Sequence, residues 1–156
     1  MENQATYLYP TRKSPRLRGF DYSTAYMYHA VIVTDHRRKV FGEIIDGQML
    51  LNRAGRIAEA AVAGISEHYP RVGVEEYMIM PDHVHLLLGI DGDPDDPVNP
   101  DLRKIIGAFK SLVSRRYGQP IWQRSFYDHI IRNEKDYMET ICYIQGNPIE
   151  WELAHQ

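Results

Sequence analysis

The sequence has little of what secreted scaffolds and membrane proteins require. Its 156 residues include a single cysteine, Cys142, so no disulfide can form within the chain. A disulfide-built secreted domain is therefore excluded, and a reducing cytoplasm is the expected environment. No apolar run approaches the length that spans a bilayer, and residues 1–20 lack the apolar segment of a signal peptide. We expect a soluble cytoplasmic protein with no membrane partner.

Neither sign of charge dominates, because the formal net charge is only −3, which argues mildly against a nucleic-acid partner. The basic residues are nevertheless clustered. Between positions 101 and 132, only Asp101 and Asp128 accompany the basic residues Arg103, Lys104, Lys110, Arg115, Arg116, Arg124 and Arg132. A second cluster, in residues 1–20, contains Arg12, Lys13, Arg16 and Arg18. Such segregation suits phosphate binding, but solvated helix faces show the same pattern, so both interpretations stay open at this point.

Hydrophobic periodicity and turn residues predict an alternating series of strands and helices. The predicted elements are, in order, a strand at 26–34, a hairpin at 40–45 and 48–51 around Asp46-Gly47, a helix at 52–68, strands at 72–80 and 83–90, a helix that begins at 101 and ends before Gly118 and Pro120, an irregular strand at 121–131 and a helix at 133–146. We expect Asn52 and Asn133 to cap the first and last helices, and Asn147-Pro148 to end the last one.

This order of elements indicates an α+β fold. Apart from the inserted hairpin, it resembles the βαββαβ ferredoxin-like arrangement, an antiparallel sheet with helices on one face, followed here by an extra C-terminal helix. The length favours one domain. Residues 1–20 contain scattered arginines and prolines without periodicity, so we expect them to form a basic N-terminal arm, with residues 21–156 forming a single domain.

Two histidines, His83 and His85, stand one residue apart in a predicted strand. Alternate side chains of a strand share one face, so both imidazoles project together while Val84 points away. Two imidazoles on one face can converge on a divalent ion, which then needs a third ligand from elsewhere. A structural role for the pair stays open on spacing alone. We expect Asp82 to shape the preceding turn or to orient a histidine.

The last predicted helix carries a polar stripe in which Glu139, Tyr143 and Asn147 are each one turn apart, away from the apolar stripe of Ile141 and Ile144. An ordinary surface tyrosine produces the same periodicity, so that interpretation stays open. A phenol is a poor nucleophile near neutral pH because its pKa is about 10. It can attack a phosphodiester where a metal neutralises the phosphoryl oxygens, and the covalent product then allows transfer to another strand.

The sequence His83-Val84-His85 resembles the histidine-hydrophobic-histidine (HUH) motif of single-tyrosine transposases. The chain is more closely similar to the REP-associated tyrosine transposases (RAYTs). The segments that carry this similarity are Gly19-Phe20-Asp21-Tyr22-Ser23, Phe41-Gly42-Glu43-Ile44, Leu51-Asn52-Arg53-Ala54-Gly55-Arg56-Ile57, Met80-Pro81-Asp82-His83-Val84-His85, Phe109-Lys110-Ser111, Trp122-Gln123-Arg124, His129-Ile130-Ile131-Arg132-Asn133-Glu134 and Tyr143-Ile144-Gln145-Gly146-Asn147-Pro148. They extend over nearly the whole chain and are far more specific than a single His-x-His.

The resemblance implies that residues 21–156 form an HUH transposase-like domain with Tyr143 as the nucleophile. It implies that His83, His85 and Asn147 are ligands of a divalent metal ion, Mg²⁺ or Mn²⁺. The implied reaction is site-specific nicking and strand transfer of single-stranded DNA, which leaves a 5′-phosphotyrosine and a free 3′-hydroxyl.

The resemblance also implies that the substrate carries imperfect palindromic hairpins of the REP type. The residues expected to contact DNA are Arg12, Arg16 and Arg18 in the arm, Lys104, Lys110, Arg115 and Arg116 on the basic helix, and Arg124. A catalytically idle, domesticated DNA-hairpin binding protein is the alternative from another class. It would keep the basic residues and would need neither His83 nor Tyr143. A monomer and a homodimer both stay open.

Overall fold

The computed structural model describes residues 27–91 and 100–155 of the chain. The elements in these residues are β1 (Met27–Val33), β2 (Gly42–Ile45), β3 (Gln48–Leu51), α1 (Arg53–His68), β4 (Val72–Ile79), β5 (His83–Ile90), α2 (Leu102–Tyr117), β6 (Tyr127–Ile131) and α3 (Glu134–Ala154). A short 3₁₀ turn at Asp35–Arg37 follows β1. None of the described helices combines the length and the apolar character that crossing a bilayer requires. The predicted arm, with Arg12, Arg16 and Arg18, lies outside the described residues.

One antiparallel sheet has the strand order β4-β5-β1-β6. Strands β2 and β3 pair with each other as a separate hairpin. When this hairpin is set aside, the remaining elements follow the βαββαβ order, so the predicted ferredoxin-like α+β fold with an inserted hairpin and an extra C-terminal helix is confirmed. Strand β5 lies inside the sheet, between β4 and β1, and it begins at the histidine pair.

The two faces of the sheet have different contents. One face packs against α1 and α2, and the residues that β1 and β5 contribute to this core are Tyr28, Ala30, Ile32, Val84, Leu86, Leu88 and Ile90. Because strand side chains alternate, His29, His83 and His85 project from the opposite face. Helix α3 covers that face, since Asn147 and Tyr143 contact these histidines. The apolar core thus lies on one side of the sheet and a polar cluster on the other.

Local sequence signals account for several element boundaries. The Asn52 side chain accepts a hydrogen bond from the backbone amide of Gly55 at 2.9 Å, and Asn133 accepts one from that of Asp136 at 2.8 Å. Both predicted N-caps are therefore confirmed. The Asp46-Gly47 turn is confirmed as well, and both of its residues have the positive φ that a tight hairpin turn requires.

The predicted strand at 121–131 is wrong in its first half, because β6 contains only the residues from 127 onward. The first half meets the end of β1 in one isolated antiparallel bridge, Thr34 with Trp122, which is out of step with the ladder between β1 and β6. The carbonyl of Ile121 accepts a hydrogen bond from the turn after β1 at 2.8 Å, and the amide of Gln123 donates to the end of β1 at 2.9 Å. The Gln123 carbonyl accepts from the Lys110 ammonium at 2.7 Å. The bridge does not continue the ladder of β6, so the predicted strand is irregular before residue 127.

The predicted end of the last helix at Gly146 is also wrong, because α3 continues through Pro148. Proline lacks an amide hydrogen, so it gives up one hydrogen bond inside the helix. Packing beyond it outweighs that loss, since Trp151 is buried and packs with Met80 against the sheet. As a result, Asn147 lies within a continuous helix and is fully buried instead of standing at a frayed end.

Replacement of Trp151 by alanine is expected to lower the free energy of unfolding by about 3–5 kcal/mol, the usual cost of removing a buried aromatic side chain. Trp151 is 5% exposed, so its removal leaves a cavity inside the protein. The measurement is urea unfolding followed by circular dichroism. Leu153→Ala, at a residue of α3 that is 49% exposed, is the matched control and should change stability by less than about 0.5 kcal/mol. Equal effects of the two substitutions would contradict the proposed anchoring of α3.

Candidate active site

The histidine pair at the start of β5 meets an amide from α3. His83 and His85 are both fully buried, as is Asn147. The Nε2 atoms of the two histidines lie 3.1 Å apart, and His83 Nε2 lies 3.2 Å from Asn147 Oδ1. Residues separated by 64 positions in the sequence therefore converge with their polar atoms. The three residues that the resemblance implies as metal ligands are together in the structure.

Hydrogen bonds hold the other nitrogen of each imidazole. His83 Nδ1 lies 2.7 Å from Asp82 Oδ1, and His85 Nδ1 lies 3.0 Å from Nε2 of His29 on β1. An ionised carboxylate can only accept a hydrogen bond, so Nδ1 of His83 carries the proton. Nε2 of His83 therefore presents a lone pair toward Asn147 Oδ1, which is also an acceptor.

Two facing acceptors repel each other unless a proton or a cation lies between them. Adjacent ligands at about 2.1 Å from an octahedral divalent ion are about 3.0 Å apart. The separations of 3.1 and 3.2 Å in this cluster are close to that value. Nδ2 of Asn147 is buried and has no hydrogen-bond partner among the described residues. No hydrogen bond through that nitrogen therefore holds the amide group in place. These residues fit a divalent cation.

Such a cation would depend on the asparagine. Within residues 27–91 and 100–155, no group of three or more His, Cys, Asp or Glu side chains is arranged to hold a metal ion. The donor set at this cluster consists instead of two imidazole nitrogens and one amide oxygen, from His83, His85 and Asn147. Glu139, on the same helix stripe, does not join it, because its side chain is 66% exposed and lies 3.9 Å from Lys135.

Burial keeps the imidazoles of His85 and His29 neutral. Desolvation, followed by the neighbouring imidazoles of His83 and His29, lowers the pKa of His85 well below 6.5, and a hydrogen bond with Asn147 opposes this shift. Desolvation, with smaller contributions from His129 and His83, lowers the pKa of His29 to about 4. A neutral imidazole has the lone pair that a metal ligand needs. The cluster is therefore suited to cation binding near pH 7.

Tyr143 lies beside the histidines, one turn before Asn147 on α3. Its ring contacts His85 edge-on at 5.5 Å between centroids and His29 at 6.0 Å. Burial raises the pKa of Tyr143 to about 12, so the hydroxyl is a neutral phenol near pH 7. Its hydroxyl has no hydrogen-bond partner among the described residues. The tyrosine thus faces the polar cluster and needs a positive charge nearby before it can act as a nucleophile.

The basic residues of α2 lie away from this cluster. Lys104, Arg115 and Arg116 are exposed on a helix that packs against the other face of the sheet. The Lys110 ammonium donates hydrogen bonds to the carbonyls of Gln123 and Ser125, at 2.7 and 3.5 Å. Arg124 is exposed in the loop before β6. The structure therefore separates the predicted hairpin contacts on α2 from the histidine pair.

A different basic segment adjoins the pair. The basic turn, which we define as His36, Arg37, Arg38 and Lys39, is exposed throughout and follows the end of β1. The backbone amide of Thr34 donates to the Asp82 carbonyl at 2.9 Å, which ties the start of the turn to the residue before His83. At the other end, Lys39 Nζ lies 5.8 Å from the ring centroid of Trp151 on α3. Positive φ angles of 51° and 52° at His36 and Arg37 show local backbone strain of the kind that clusters at functional sites.

Comparisons with known proteins define the family. The family model described as "Transposase IS200 like" matches residues 22–147. The chain belongs to this family of transposases. Its resemblance to the REP-associated tyrosine transposases is confirmed by the relatives that it matches.

Three of these relatives illustrate the extent of the match. An uncharacterized protein of Haemophilus influenzae is 32% identical over 162 aligned positions, which cover 90% of this chain and 90% of the relative. The REP-associated tyrosine transposase of Escherichia coli K12 is 30% identical over 77 residues, which cover 49% of this chain and 44% of that protein. A solved structure of a REP-associated tyrosine transposase bound to a REP hairpin has a TM-score of 0.68 at 20% identity, with 92% of this chain and 78% of that chain covered, and it supports the fold.

Proposed function

We propose that this protein is a metal-dependent endonuclease and strand transferase for single-stranded DNA. The observation that carries the proposal is the position of Tyr143, edge-on to His85 at 5.5 Å, beside the converging donor atoms of His83, His85 and Asn147. A transposase needs a nucleophile next to a site that can neutralise a phosphate, and this cluster offers both.

The proposed reaction begins when Oη of Tyr143 attacks the scissile phosphorus. A bond forms between Oη and phosphorus, and the bond from phosphorus to the 3′ oxygen of the preceding nucleotide breaks. The phenol loses its proton and the departing 3′ oxygen gains one. The products are a 5′-phosphotyrosine and a free 3′-hydroxyl. Attack by another 3′-hydroxyl on this linkage restores the phenol and joins a new strand, so the number of phosphodiester bonds is conserved.

The polar cluster would assist by binding a cation. His83, His85 and Asn147 would hold Mg²⁺ or Mn²⁺, which when bound supplies positive charge to the phosphoryl oxygens. Asp82 keeps the Nε2 lone pair of His83 directed toward the cluster through the hydrogen bond to Nδ1. Burial beneath α3 limits access of water to these residues, which strengthens their electrostatic interactions.

The substrate of this proposal is single-stranded DNA with an imperfect palindromic hairpin of the REP type. The exposed arginines and lysine of α2, Lys104, Arg115 and Arg116, would contact the hairpin backbone. Nucleotides beside the scissile phosphate need contacts closer to Tyr143. The basic turn at 36–39 supports this part of the proposal because it adjoins both Asp82 and Trp151.

A covalent-adduct assay tests the proposal. The protein is incubated with labelled single-stranded hairpin DNA from its own genomic flanks, with Mg²⁺ or Mn²⁺, and then separated on a denaturing gel. A metal-dependent protein–DNA band is expected. DNA binding without any covalent band, with both metals and several flanking sequences, would contradict the enzyme and favour the idle hairpin binder.

Charge reversal in the basic turn is expected to weaken binding of the strand beside the hairpin. Arg37→Glu combined with Lys39→Glu should reduce affinity for a hairpin with a single-stranded flank by at least about tenfold at 0.1 M salt. The slope of log affinity against log salt should become shallower by about 1.4, because two phosphate contacts with single-stranded DNA, each contributing about 0.7, are lost. Affinity for the same hairpin without its flank should change much less. Fluorescence anisotropy titrations at several salt concentrations measure all three quantities.

The matched control is a charge reversal on the other face of the sheet. Lys104→Glu combined with Arg116→Glu should weaken binding of both oligonucleotides to a similar extent, since the hairpin is common to them. An unchanged affinity of the basic-turn variant for the flanked hairpin would remove the turn from the proposed DNA path. Equal losses on both oligonucleotides for the turn variant would assign the turn to the hairpin instead.

A further inference from the structure

The proposed reaction leaves the buried imidazole of His29 without a role. This side chain is 8% exposed and projects from β1 on the same face as the histidine pair. Its Nε2 lies 3.0 Å from Nδ1 of His85. Both proposed histidine ligands therefore have Nδ1 in a hydrogen bond, His83 with the carboxylate of Asp82 and His85 with a second imidazole.

The two hydrogen bonds differ in how strictly they fix which ring nitrogen carries the proton. A carboxylate can only accept, whereas a neutral imidazole donates from one nitrogen and accepts at the other. His85 can present a lone pair at Nε2 only if its proton is on Nδ1, and that proton then needs an acceptor in a buried site. Nε2 of His29 lies within hydrogen-bond distance of the nitrogen that carries this proton.

We infer that His29 is a positioning residue of the proposed metal centre, which accepts the Nδ1 proton of His85 and so directs the Nε2 lone pair of His85 to the cation. This inference rests on the proposed function. The neutral His29 ring, with its own proton on Nδ1, supplies the acceptor. Its ring also stacks on His85, with centroids 5.2 Å apart and planes at 24°, which restricts rotation of the ligand.

The same ring contacts the proposed nucleophile. His29 meets Tyr143 edge-on at 6.0 Å between centroids. It therefore contacts one residue from β5, His85, and one from α3, Tyr143. Two substitutions separate the packing of His29 from its hydrogen bond. Phenylalanine keeps a ring without an acceptor, and glutamine keeps an acceptor without a ring.

Manganese binding to purified variants tests the inference, with free Mn²⁺ followed by electron paramagnetic resonance. His29→Phe is expected to bind Mn²⁺ about 10–100-fold more weakly than the unmodified protein, the usual effect of losing a hydrogen-bond partner of a ligand. His29→Gln should recover most of the affinity through its amide oxygen. Circular dichroism melting shows whether each variant is folded, and His29→Leu replaces His29→Phe if the latter does not fold.

His83→Ala distinguishes a failure of the inference about His29 from a failure of the proposed metal centre. If His83→Ala abolishes Mn²⁺ binding while His29→Phe binds as tightly as the unmodified protein, the inference about His29 is overturned and the metal centre stands. If the unmodified protein binds no Mn²⁺, or if His83→Ala leaves binding unchanged, both fail together. Loss in His29→Phe without recovery in His29→Gln would assign His29 to packing alone and would also overturn the inference.

Nuclear magnetic resonance of ¹⁵N-labelled histidine gives a second readout that does not depend on activity. In the metal-free protein, the imidazole of His85 is expected to carry its proton on Nδ1, held there by the acceptor nitrogen of His29. In metal-free His29→Phe this preference should be lost. An unchanged tautomer of His85 in the folded variant would contradict the inference.

Discussion

Tyr143→Phe is expected to abolish covalent attachment to DNA while leaving the fold and DNA binding intact. The substitution removes the proposed nucleophilic oxygen, so adduct formation should fall by at least about a thousandfold. The ring contacts with His85 and His29 are kept, and the lost hydroxyl has no hydrogen-bond partner among the described residues. The free energy of unfolding should therefore change by less than about 1 kcal/mol. Denaturing gels and urea unfolding measure the two quantities.

Tyr137→Phe is the matched control for this substitution. Tyr137 lies on the same helix and is also partly buried, but it has no place in the proposed reaction. Its variant should form the adduct at the normal rate. An adduct that survives Tyr143→Phe would show that another residue is the nucleophile, and loss of the adduct in Tyr137→Phe would show that the assay responds to the packing of α3.

His83→Ala is expected to remove the response of the protein to divalent metal. The substitution deletes one of the three donor atoms that converge at the proposed site, so affinity for Mn²⁺ should fall by more than about 100-fold. In the unmodified protein, metal at 100 times its dissociation constant should add about 2.7 kcal/mol to the free energy of unfolding. In His83→Ala this addition should be close to zero. Urea unfolding with and without Mn²⁺ measures it.

The control for this experiment is another histidine. His68 is exposed at the end of α1 and is distant from the cluster in the fold, on the helical layer of the opposite face. His68→Ala should keep the full metal-dependent stabilisation. If His83→Ala retains the same stabilisation as the unmodified protein, the metal lies elsewhere and the proposed donor set is wrong.

Much of the proposed site can be predicted from sequence periodicity. The two-residue repeat of a strand is set by its backbone, so spacing alone is enough to predict that His83 and His85 share a face. The helical repeat is likewise enough to put Tyr143 and Asn147 on one stripe. Both patterns describe neighbours within one element. That is why they anticipate the faces correctly without knowledge of the tertiary structure.

The end of α3 could not be predicted in this way. Gly146 and Pro148 both favour a stop, and only the packing of Trp151 with Met80 carries the helix further. This packing joins residues from different parts of the chain. The predicted end was therefore wrong at the point where Asn147 has to be held.

Partners across the sheet were also beyond local patterns. His29 shares a strand face with Val31 and Val33, so a single polar ring in an apolar stripe was its only sequence signal. The hydrogen bond to His85 depends on the register between β1 and β5. In the same way, the charge clusters in the sequence do not reveal which face of the sheet they occupy. In the structure the basic turn adjoins the histidine pair, whereas helix α2, which has more basic residues, packs on the other face of the sheet.

The most direct test of the proposed function is to locate the covalent bond by mass spectrometry. The adduct formed with a hairpin oligonucleotide and Mn²⁺ is digested with protease and nuclease, and the modified peptide is sequenced. The proposed reaction predicts a nucleotide joined through its 5′ phosphate to Tyr143. A modification at any other residue, or DNA binding with no modified peptide, would contradict it.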